Sequence, residues 1–263
     1  MGLFSIEGHG NHATRWLLEQ ATGVASSSIY GDAEHVKRFG AEQAKKDVLG
    51  AAVFGRGIVV KSHKVALKEA IVGDHPPVKH RRTIQIVRGP LGGILANYQR
   101  IGHALKDPCS DSKGTVGLQG DTHHSRVEDW DSPRRRAHFT KYAQCQARWY
   151  VKGLRHKLES PPAGWKFPVL TVRYEDLVQD TEWMLRLLLA FLGVPLPEPP
   201  MLECAVRVSR GTKREHPEGE ADPWDPALEA RRKVLEAEGM CEVLRAFWYD
   251  ELAEEACTLA AAS

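Results

Sequence analysis

A glycine-containing turn near the start of the chain is the first segment whose residues could bind a charged ligand. It lies between a short apolar run and a helix-forming stretch and comprises Gly8, His9, Gly10, Asn11, His12 and Ala13. Such a turn at a helix N-terminus aims several backbone N–H groups at one point, with the helix dipole behind them, and binds phosphate or sulfate. The Gly-Lys-Ser/Thr ending of a Walker A loop is absent. Taken alone, the segment favours an ordinary strand-to-helix turn.

A lysine and a histidine, Lys61 and His63, stand two residues apart at the end of a second apolar run. Side chains alternate along a strand, so the two point to the same face. There the lysine would neutralise charge on a transferred group while the histidine takes a proton from a hydroxyl. A Lys-x-His pair that merely ends a strand in solvent has no such role, and the pair taken alone favours that simpler interpretation.

Three further polar segments complete the candidates for binding. Arg88 precedes Pro90 by two residues, and an arginine at a strand end suits bidentate phosphate binding just before a proline that suits the first helical turn. Tyr174 ends a fourth apolar run, where its ring is suited to packing against a base. Lys213 and Arg214 form a local basic pair. The alternative for each segment is a solvated surface or an ion pair with an acidic neighbour.

Short β-branched runs that alternate with helical stretches must position these residues, and this alternation is typical of a parallel α/β sheet. The predicted strands are Leu3–Ile6, Gly57–Lys61, Thr83–Arg88 and Val169–Tyr174. The predicted helices are Thr14–Ala21, Leu91–Arg100, Phe139–Leu158 and Thr181–Leu192. Each strand ends where polar residues begin, as expected if ligands bind at the carboxyl ends of parallel strands.

Two of the helices carry clear sequence signals. Along the third helix, one side collects residues at spacings of three and four: Phe139, Tyr142, Ala143, Gln146, Trp149 and Tyr150. The fourth helix opens after Asp180, a suitable N-cap, and stops at Gly193 and Pro195.

We expect one domain over residues 1–263. A polar segment without periodicity, from about 103 to 136, predicts a long loop or insertion. A charged, proline-containing break at Arg210–Pro226 precedes two predicted terminal helices, Ala227–Glu238 and Met240–Glu254, within about 227–254.

The composition excludes several classes of protein. At 42% hydrophobic and 27% charged over 263 residues, the chain is an ordinary globular one. A formal net charge of +2 provides no strong field for nucleic acid, so we expect no nucleic-acid partner. The richest apolar run, Leu187–Val194, is far shorter than the roughly 20 residues of a membrane helix. We therefore expect no membrane span and a soluble chain.

Five cysteines are scattered along the chain, at Cys109, Cys145, Cys204, Cys241 and Cys257. Their odd number and irregular spacing favour buried or free thiols over a disulfide framework. Their spacing does not suggest zinc, and no cluster of metal ligands is apparent, so we predict no metal.

Taken in order, these motifs resemble those of a sulfotransferase, and most closely the Golgi-type branch often found with WSC domains. That branch reads Gly-Ser-Gly-Asn-Thr-Trp-x-Arg-x-Leu-Leu-Glu-Gln-Ala-Thr-Gly in its first segment. Here Gly8–Gly23 reads Gly-His-Gly-Asn-His-Ala-Thr-Arg-Trp-Leu-Leu-Glu-Gln-Ala-Thr-Gly, in register without a gap. The likeness covers about residues 3–100 and 139–215.

The resemblance implies a P-loop NTPase-like three-layer fold with a central parallel sheet. It also implies 3′-phosphoadenylyl sulfate as the co-substrate and a hydroxyl of a carbohydrate or protein as the acceptor. By the same likeness, backbone amides from Gly8 to Ala13 hold the 5′-phosphosulfate. Lys61 and His63 match the family's Lys-Thr-His, whose histidine is the catalytic base.

Three other positions carry over to the nucleotide. Arg88 matches the arginine that holds the 3′-phosphate, and Tyr174 matches the tyrosine of the family's Tyr-Glu-Asp segment near the adenine. Lys213 and Arg214 match the family's basic loop near the 3′-phosphate.

The chain departs from the family pattern at five positions. His9 and His12 replace loop hydroxyls, Ala13 replaces the tryptophan that stacks on adenine, Ala96 replaces a serine, and Gly89 replaces an asparagine. Losing two or three neutral hydrogen bonds of about 0.5–1.5 kcal/mol each weakens donor binding by roughly one to three decades. The alternative to an enzyme is therefore a catalytically impaired relative that binds a nucleotide or a partner. A P-loop kinase is disfavoured, because the turn lacks the lysine and the Mg²⁺-binding hydroxyl.

The cellular location is left open by the sequence. Golgi-type relatives have an N-terminal membrane anchor, whereas this chain starts almost at its first predicted strand. Two alternatives follow: a Golgi-lumenal protein whose anchor is missing from this sequence, or a cytosolic protein.

Overall fold

A computed structural model describes residues 2–5, 10–28, 58–62, 82–100, 107–109, 132–159, 168–211 and 228–262. Five candidate site residues lie outside these ranges: Gly8, His9, His63, Lys213 and Arg214. For Lys61 the backbone is described and the side chain is not.

Five short strands form one parallel sheet in the part of the chain that the structure describes. They are β1 (Gly2–Ser5), β2 (Ser27–Ser28), β3 (Val60–Ser62), β4 (Thr83–Val87) and β5 (Val169–Arg173). Their order across the sheet is β2-β3-β1-β4-β5, and each neighbouring pair is parallel. With the helices described below, this confirms the α/β class predicted from the alternation of strands and helices.

The strand bounds differ in small ways from those predicted. All five residues of β4 are buried, as expected for a strand covered on both faces. Ile58 and Val59 are also buried but precede β3, so the strand predicted at Gly57–Lys61 is shifted towards Ser62. The two serines of β2 were not predicted as a strand, because they have neither the β-branched composition nor the length of a typical one.

Four helices accompany this sheet: α1 (Asn11–Thr22), α4 (Tyr174–Gln179), α5 (Thr181–Leu192) and α6 (Pro199–Gly211). The bounds predicted for α5 are confirmed, and the Asp180 carboxylate accepts a hydrogen bond from the Trp183 N–H at 3.1 Å. Helices α4 and α6 were not predicted from the sequence. Buried side chains of the sheet and of these helices form one hydrophobic core, which includes Leu3, Leu17, Ile84, Leu185, Leu188 and Leu202.

Five more helices make up the rest of the described chain: α2 (Pro90–Arg100), α3 (Pro133–Glu159), α7 (Leu228–Leu235), α8 (Met240–Ala246) and α9 (Asp250–Ala262). Helix α3 begins at Pro133, so the last residues of the predicted 103–136 loop are helical instead. On its predicted apolar side, Phe139, Tyr142 and Tyr150 are buried. Trp149, from the same set, is 51% exposed.

The terminal region contains three helices where two were predicted. Gly239 adopts a left-handed conformation (φ +79°) and separates α7 from α8. Trp248, with φ +60°, lies between α8 and α9. A helix cannot continue through a left-handed residue, so the predicted helix Met240–Glu254 is divided at this point.

Two disulfides correct the expectation of free thiols. Cys109 is bonded to Cys145 of α3, and Cys241 of α8 is bonded to Cys257 of α9. Cys204, on α6, is free and exposed. The pairing was not predictable because it joins segments that meet only in the folded chain.

The contacts divide the chain into two compact units. The first comprises Met1–Val87 and Pro162–Glu215, and the second comprises Arg88–Pro161 and His216–Ser263. A single domain over the whole chain stays a prediction. Within the described ranges, no helix is both long and apolar enough to cross a membrane.

Candidate functional site

The turn between β1 and α1 has the backbone of an anion-binding helix start. Gly10 is the N-cap of α1 and has φ +85°, a left-handed conformation that glycine adopts without steric cost. No side chain caps this helix end, and its first turn contains no acidic residue. The first N–H groups of α1 are therefore left without intrahelical carbonyl partners, and the positive end of the dipole has no acidic residue beside it in the turn.

Buried polar side chains brace this turn from behind. The Asn11 amide nitrogen donates to the Ser5 hydroxyl at 3.0 Å, which ties the start of α1 to the end of β1. The Thr14 hydroxyl donates to the Gly10 carbonyl at 3.0 Å. Asn11 is only 5% exposed, and its side-chain oxygen has no hydrogen-bond partner among the described residues. Because an unpartnered buried oxygen is costly, a donor on a bound ligand or water would stabilise this position.

Tyr174 closes one side of the turn. It directly follows Arg173, the last residue of β5, and begins the short helix α4. A Cβ atom at Gly10 would lie 2.1 Å from the Tyr174 Cδ2 and 2.5 Å from its Cε2, so the ring packs on the glycine backbone. The structure thus brings together two of the predicted site residues that are far apart in the sequence.

The strand register aligns the ends of the strands at one edge of the sheet. Phe4 of β1 pairs with Ser62 of β3, Ser5 pairs with Ile86 of β4, and Val87 pairs with Arg173 of β5. The next residue in the sequence after each of the last three strands is a predicted site residue, His63, Arg88 or Tyr174. The backbone of Lys61, one residue before the end of β3, pairs with Leu3.

Strands β1 and β4 are neighbours in the sheet, and the connections that follow them lead towards opposite ends of the strand order. After β1 the next strand, β2, lies on one side, whereas after β4 the next strand, β5, lies on the other side. In open parallel sheets, ligands bind outside the carboxyl ends of the strands at such a switch point. The Gly10 turn follows one of these two strands.

Arg88, the first residue of the second unit, is fixed at both its backbone and its side chain. The Tyr150 hydroxyl donates to the Arg88 carbonyl at 3.0 Å. A Cβ atom at Gly92 would lie 3.1 Å from the Arg88 Nε and 3.5 Å from its Nη2, so the guanidinium lies against the first turn of α2. Tyr150 and Gly92 were not predicted as partners of Arg88, because no local sequence pattern around either residue indicates a contact with it.

The remaining predicted positions of the turn are less enclosed. His12 is exposed and Ala13 is half-buried. Within the described residues no group of acidic, histidine or cysteine side chains has the arrangement of a metal site. A separate polar cluster lies in the second unit, where the Tyr98 hydroxyl and the His138 Nδ1 are 3.0 Å apart. Burial raises the pKa of Tyr98, and the hydrogen bond and charge of Arg135 partly oppose that shift.

Comparison with known proteins finds relatives in insects. The chain is 29% identical to a WSCD family member of Aedes aegypti over 251 residues, which cover 90% of the chain. It is 29% identical to a WSCD family member of Drosophila pseudoobscura pseudoobscura and 28% identical to one of Drosophila melanogaster, over 89% of the chain in both cases. The chain spans 65%, 62% and 64% of the length of these three relatives. No protein-family model matches the chain.

Proposed function

We propose that this chain is a sulfotransferase that moves a sulfuryl group from 3′-phosphoadenylyl sulfate to a hydroxyl of a carbohydrate or protein acceptor. The observation that carries the proposal is the uncapped start of α1, which follows the central strand β1 and has Gly10 in a left-handed conformation. A helix start of this kind stabilises a bound anion, by about 0.3–1 kcal/mol where exposed and up to about 2 kcal/mol where partly buried.

The strand order supports a P-loop NTPase-like three-layer fold as part of this proposal. Parallel strands need crossover connections, which in α/β proteins are usually helices that cover both faces of the sheet. The completely buried strand β4 fits such covering on both of its faces. In this fold the phosphosulfate group is bound by the turn that follows β1, from Gly8 to Ala13, at the switch point of the sheet.

The transfer step assigns roles to residues that follow the strand ends. The acceptor oxygen attacks the sulfur atom, and the bond between sulfur and the bridging phosphate oxygen breaks. His63 takes the proton of the acceptor hydroxyl, while Lys61 and the turn amides stabilise the negative charge that develops on the sulfuryl and bridging oxygens. The products are the sulfated acceptor and 3′-phosphoadenosine 5′-phosphate, and the scheme requires no metal.

The nucleotide's other groups are assigned by the same likeness. Arg88 binds the 3′-phosphate, to which Lys213 and Arg214 add positive charge. Tyr174 packs near the adenine, and its position on the Gly10 backbone supports a location beside the phosphosulfate turn.

The two disulfides support an oxidising compartment as the location of this activity. Disulfides persist in oxidising compartments, such as the lumen of the secretory pathway, and are rare in the cytosol. Cys109–Cys145 and Cys241–Cys257 therefore favour a Golgi-lumenal location over the cytosolic alternative.

A second candidate is a relative that binds the nucleotide without catalysis. It is favoured by the turn itself, where Ala13 offers no ring for stacking and the exposed His12 stands in place of a hydroxyl. The His63→Ala variant separates the two candidates. If the chain is an enzyme, this variant loses sulfuryl transfer and keeps its affinity for 3′-phosphoadenosine 5′-phosphate. If the chain only binds, the unaltered protein shows no transfer to any acceptor.

The primary test is calorimetric titration of the full chain with 3′-phosphoadenosine 5′-phosphate. We expect micromolar binding that is lost in Arg88→Ala and retained in Arg148→Ala, a control that removes an exposed arginine of α3. Absence of binding by the folded protein at millimolar nucleotide would contradict both candidates.

A further inference from the structure

We propose that Tyr150 and Gly92 are positioning residues that place the Arg88 guanidinium for a 3′-phosphate. The inference rests on the proposed function, since it concerns the selectivity of that nucleotide site. It goes further by assigning the discrimination between nucleotides with and without a 3′-phosphate to two residues that need not touch the ligand.

Tyr150 fixes the backbone of Arg88. Arg88 lies one residue beyond the last pair of the ladder between β4 and β5, which joins Val87 to Arg173. Its carbonyl instead accepts a hydrogen bond from the Tyr150 hydroxyl at 3.0 Å. Tyr150 is only 2% exposed, so its ring is held firmly by the surrounding packing of α3. The direction in which the Arg88 side chain leaves the backbone is therefore set by a rigid partner.

Gly92 provides the space in which the guanidinium lies. An added Cβ at residue 92 would lie 3.1 Å from the Arg88 Nε and 3.6 Å from its Cζ, so a side chain there would require the guanidinium to shift by a few tenths of an ångström. Because Gly92 belongs to the first turn of α2, the guanidinium lies beside the positive end of that helix.

Two groups at this location would attract an anion. The first turn of α2 contains no acidic residue, and the positive end of the helix dipole favours a negative charge beside it. The Arg88 guanidinium and the helix end would both attract the same bound phosphate. The arrangement thus has the character of a preorganised anion site, because the guanidinium already lies beside the helix end before the ligand binds.

The test compares the affinities of the full chain for 3′-phosphoadenosine 5′-phosphate and for adenosine 5′-phosphate, which lacks the 3′-phosphate. The dissociation constant for adenosine 5′-phosphate divided by that for 3′-phosphoadenosine 5′-phosphate measures the contribution of the 3′-phosphate to binding. We expect Arg88→Ala to lower this ratio by about tenfold or more and Tyr150→Phe to lower it by roughly two- to tenfold. Tyr98→Phe is the matched control, because it also removes a buried phenol hydroxyl but one that faces His138.

Two results separate positioning from a general structural effect. First, Tyr150→Phe added to Arg88→Ala should cause no further loss in the ratio, because Tyr150 acts through Arg88. Second, Gly92→Ala should lower the ratio while it raises the melting temperature, since alanine is the better helix former. A variant that merely damages the fold would lose stability and affinity together.

The outcomes distinguish the inference from the function on which it rests. If the unaltered chain binds neither nucleotide, the proposed function fails and the inference fails with it. If the chain prefers the 3′-phosphorylated nucleotide and Tyr150→Phe keeps that preference, the inference alone is overturned. An equal loss in Tyr98→Phe and Tyr150→Phe would also overturn it.

Discussion

The Tyr174 ring packs directly on the backbone of Gly10, across the turn that opens the first helix of the chain. The glycine therefore meets two requirements at once: it adopts a φ of +85°, and it leaves the space that the ring occupies. This contact joins the turn after β1 to the segment after β5 and gives the candidate anion site a wall that no local sequence pattern would supply.

Gly10→Ala should destabilise the protein more than Gly23→Ala. Gly23 also has a positive φ, of +65°, but an added Cβ there meets no atom within 4 Å, so that variant has only the conformational cost of about 1–2 kcal/mol. At Gly10 the overlap with Tyr174 is added to this cost. Thermal unfolding of the two variants measures the difference, and Tyr174→Ala should recover part of the loss in Gly10→Ala. Equal melting temperatures for the two glycine variants would contradict the contact.

Asp180→Ala should lower the free energy of unfolding by about 1 kcal/mol, because it removes the N-cap of α5. The Trp183 N–H then loses the carboxylate that accepts its hydrogen bond. Urea unfolding provides the measurement, with Gln179→Ala as the control, since Gln179 is the exposed neighbour one residue earlier. The loss of an N-cap residue usually costs about 0.5–2 kcal/mol. A change below about 0.3 kcal/mol in Asp180→Ala would therefore show that Asp180 does not stabilise α5 as an N-cap.

The native protein should expose one reactive thiol. Cys204 is free and exposed, whereas the other four cysteines are paired in two disulfides. Titration with a thiol reagent in the absence of reductant should therefore detect one thiol in the unaltered chain and none in Cys204→Ser. After reduction under denaturing conditions, all five cysteines of the sequence should react. Three or five thiols before reduction would rule out one or both bridges.

Stability should decrease above about pH 10 because of Tyr98. Burial raises the pKa of this phenol in the folded protein above its ordinary value of 10.0, despite the opposing effect of Arg135. Below pH 10 the phenol is protonated in both states, so its contribution is fully present. As the pH rises, the unfolded chain loses the proton first and is favoured, and the contribution disappears as the pH passes the folded-state pKa.

Denaturant unfolding of the unaltered protein and of Tyr98→Phe between pH 9 and pH 11.5 measures this effect. The decrease with pH should be shallower in Tyr98→Phe, because phenylalanine does not titrate. The same slope in both proteins would place the alkaline sensitivity in other groups.

The sequence predicted correctly those features that depend on the interaction of a residue with its neighbours along the chain. Asp180 and Gly193 bound α5 correctly because a cap and a left-handed glycine act within one helical turn. The buried run Thr83–Val87 was predicted as a strand because most of its residues are β-branched, a composition that strands favour. The general α/β class followed from the same alternation.

Features that depend on distant contacts were not predictable in this way. The two disulfides join cysteines whose separation along the chain says nothing about their distance in the folded protein. Trp149 has the helical spacing of a core residue, yet Lys152 lies over its exposed ring with the Nζ 5.9 Å from the centroid. In the candidate site, the glycine turn and Tyr174 were identifiable by residue type, whereas Tyr150 and Gly92 became relevant to Arg88 only through tertiary contact.

The sheet order has a consequence for how the chain folds. Strand β1 has neighbours on both sides, and it cannot complete its hydrogen bonds until residues 60–62 and 83–87 have joined it. Strand β4 likewise cannot complete its hydrogen bonds until β5 has joined it, since Thr83 pairs with Val169. Each closure brings together segments separated by more than fifty residues, and long loops delay contact formation. We therefore expect slow folding, during which the unpaired backbone N–H and C=O groups of β1 stay open to association with other chains.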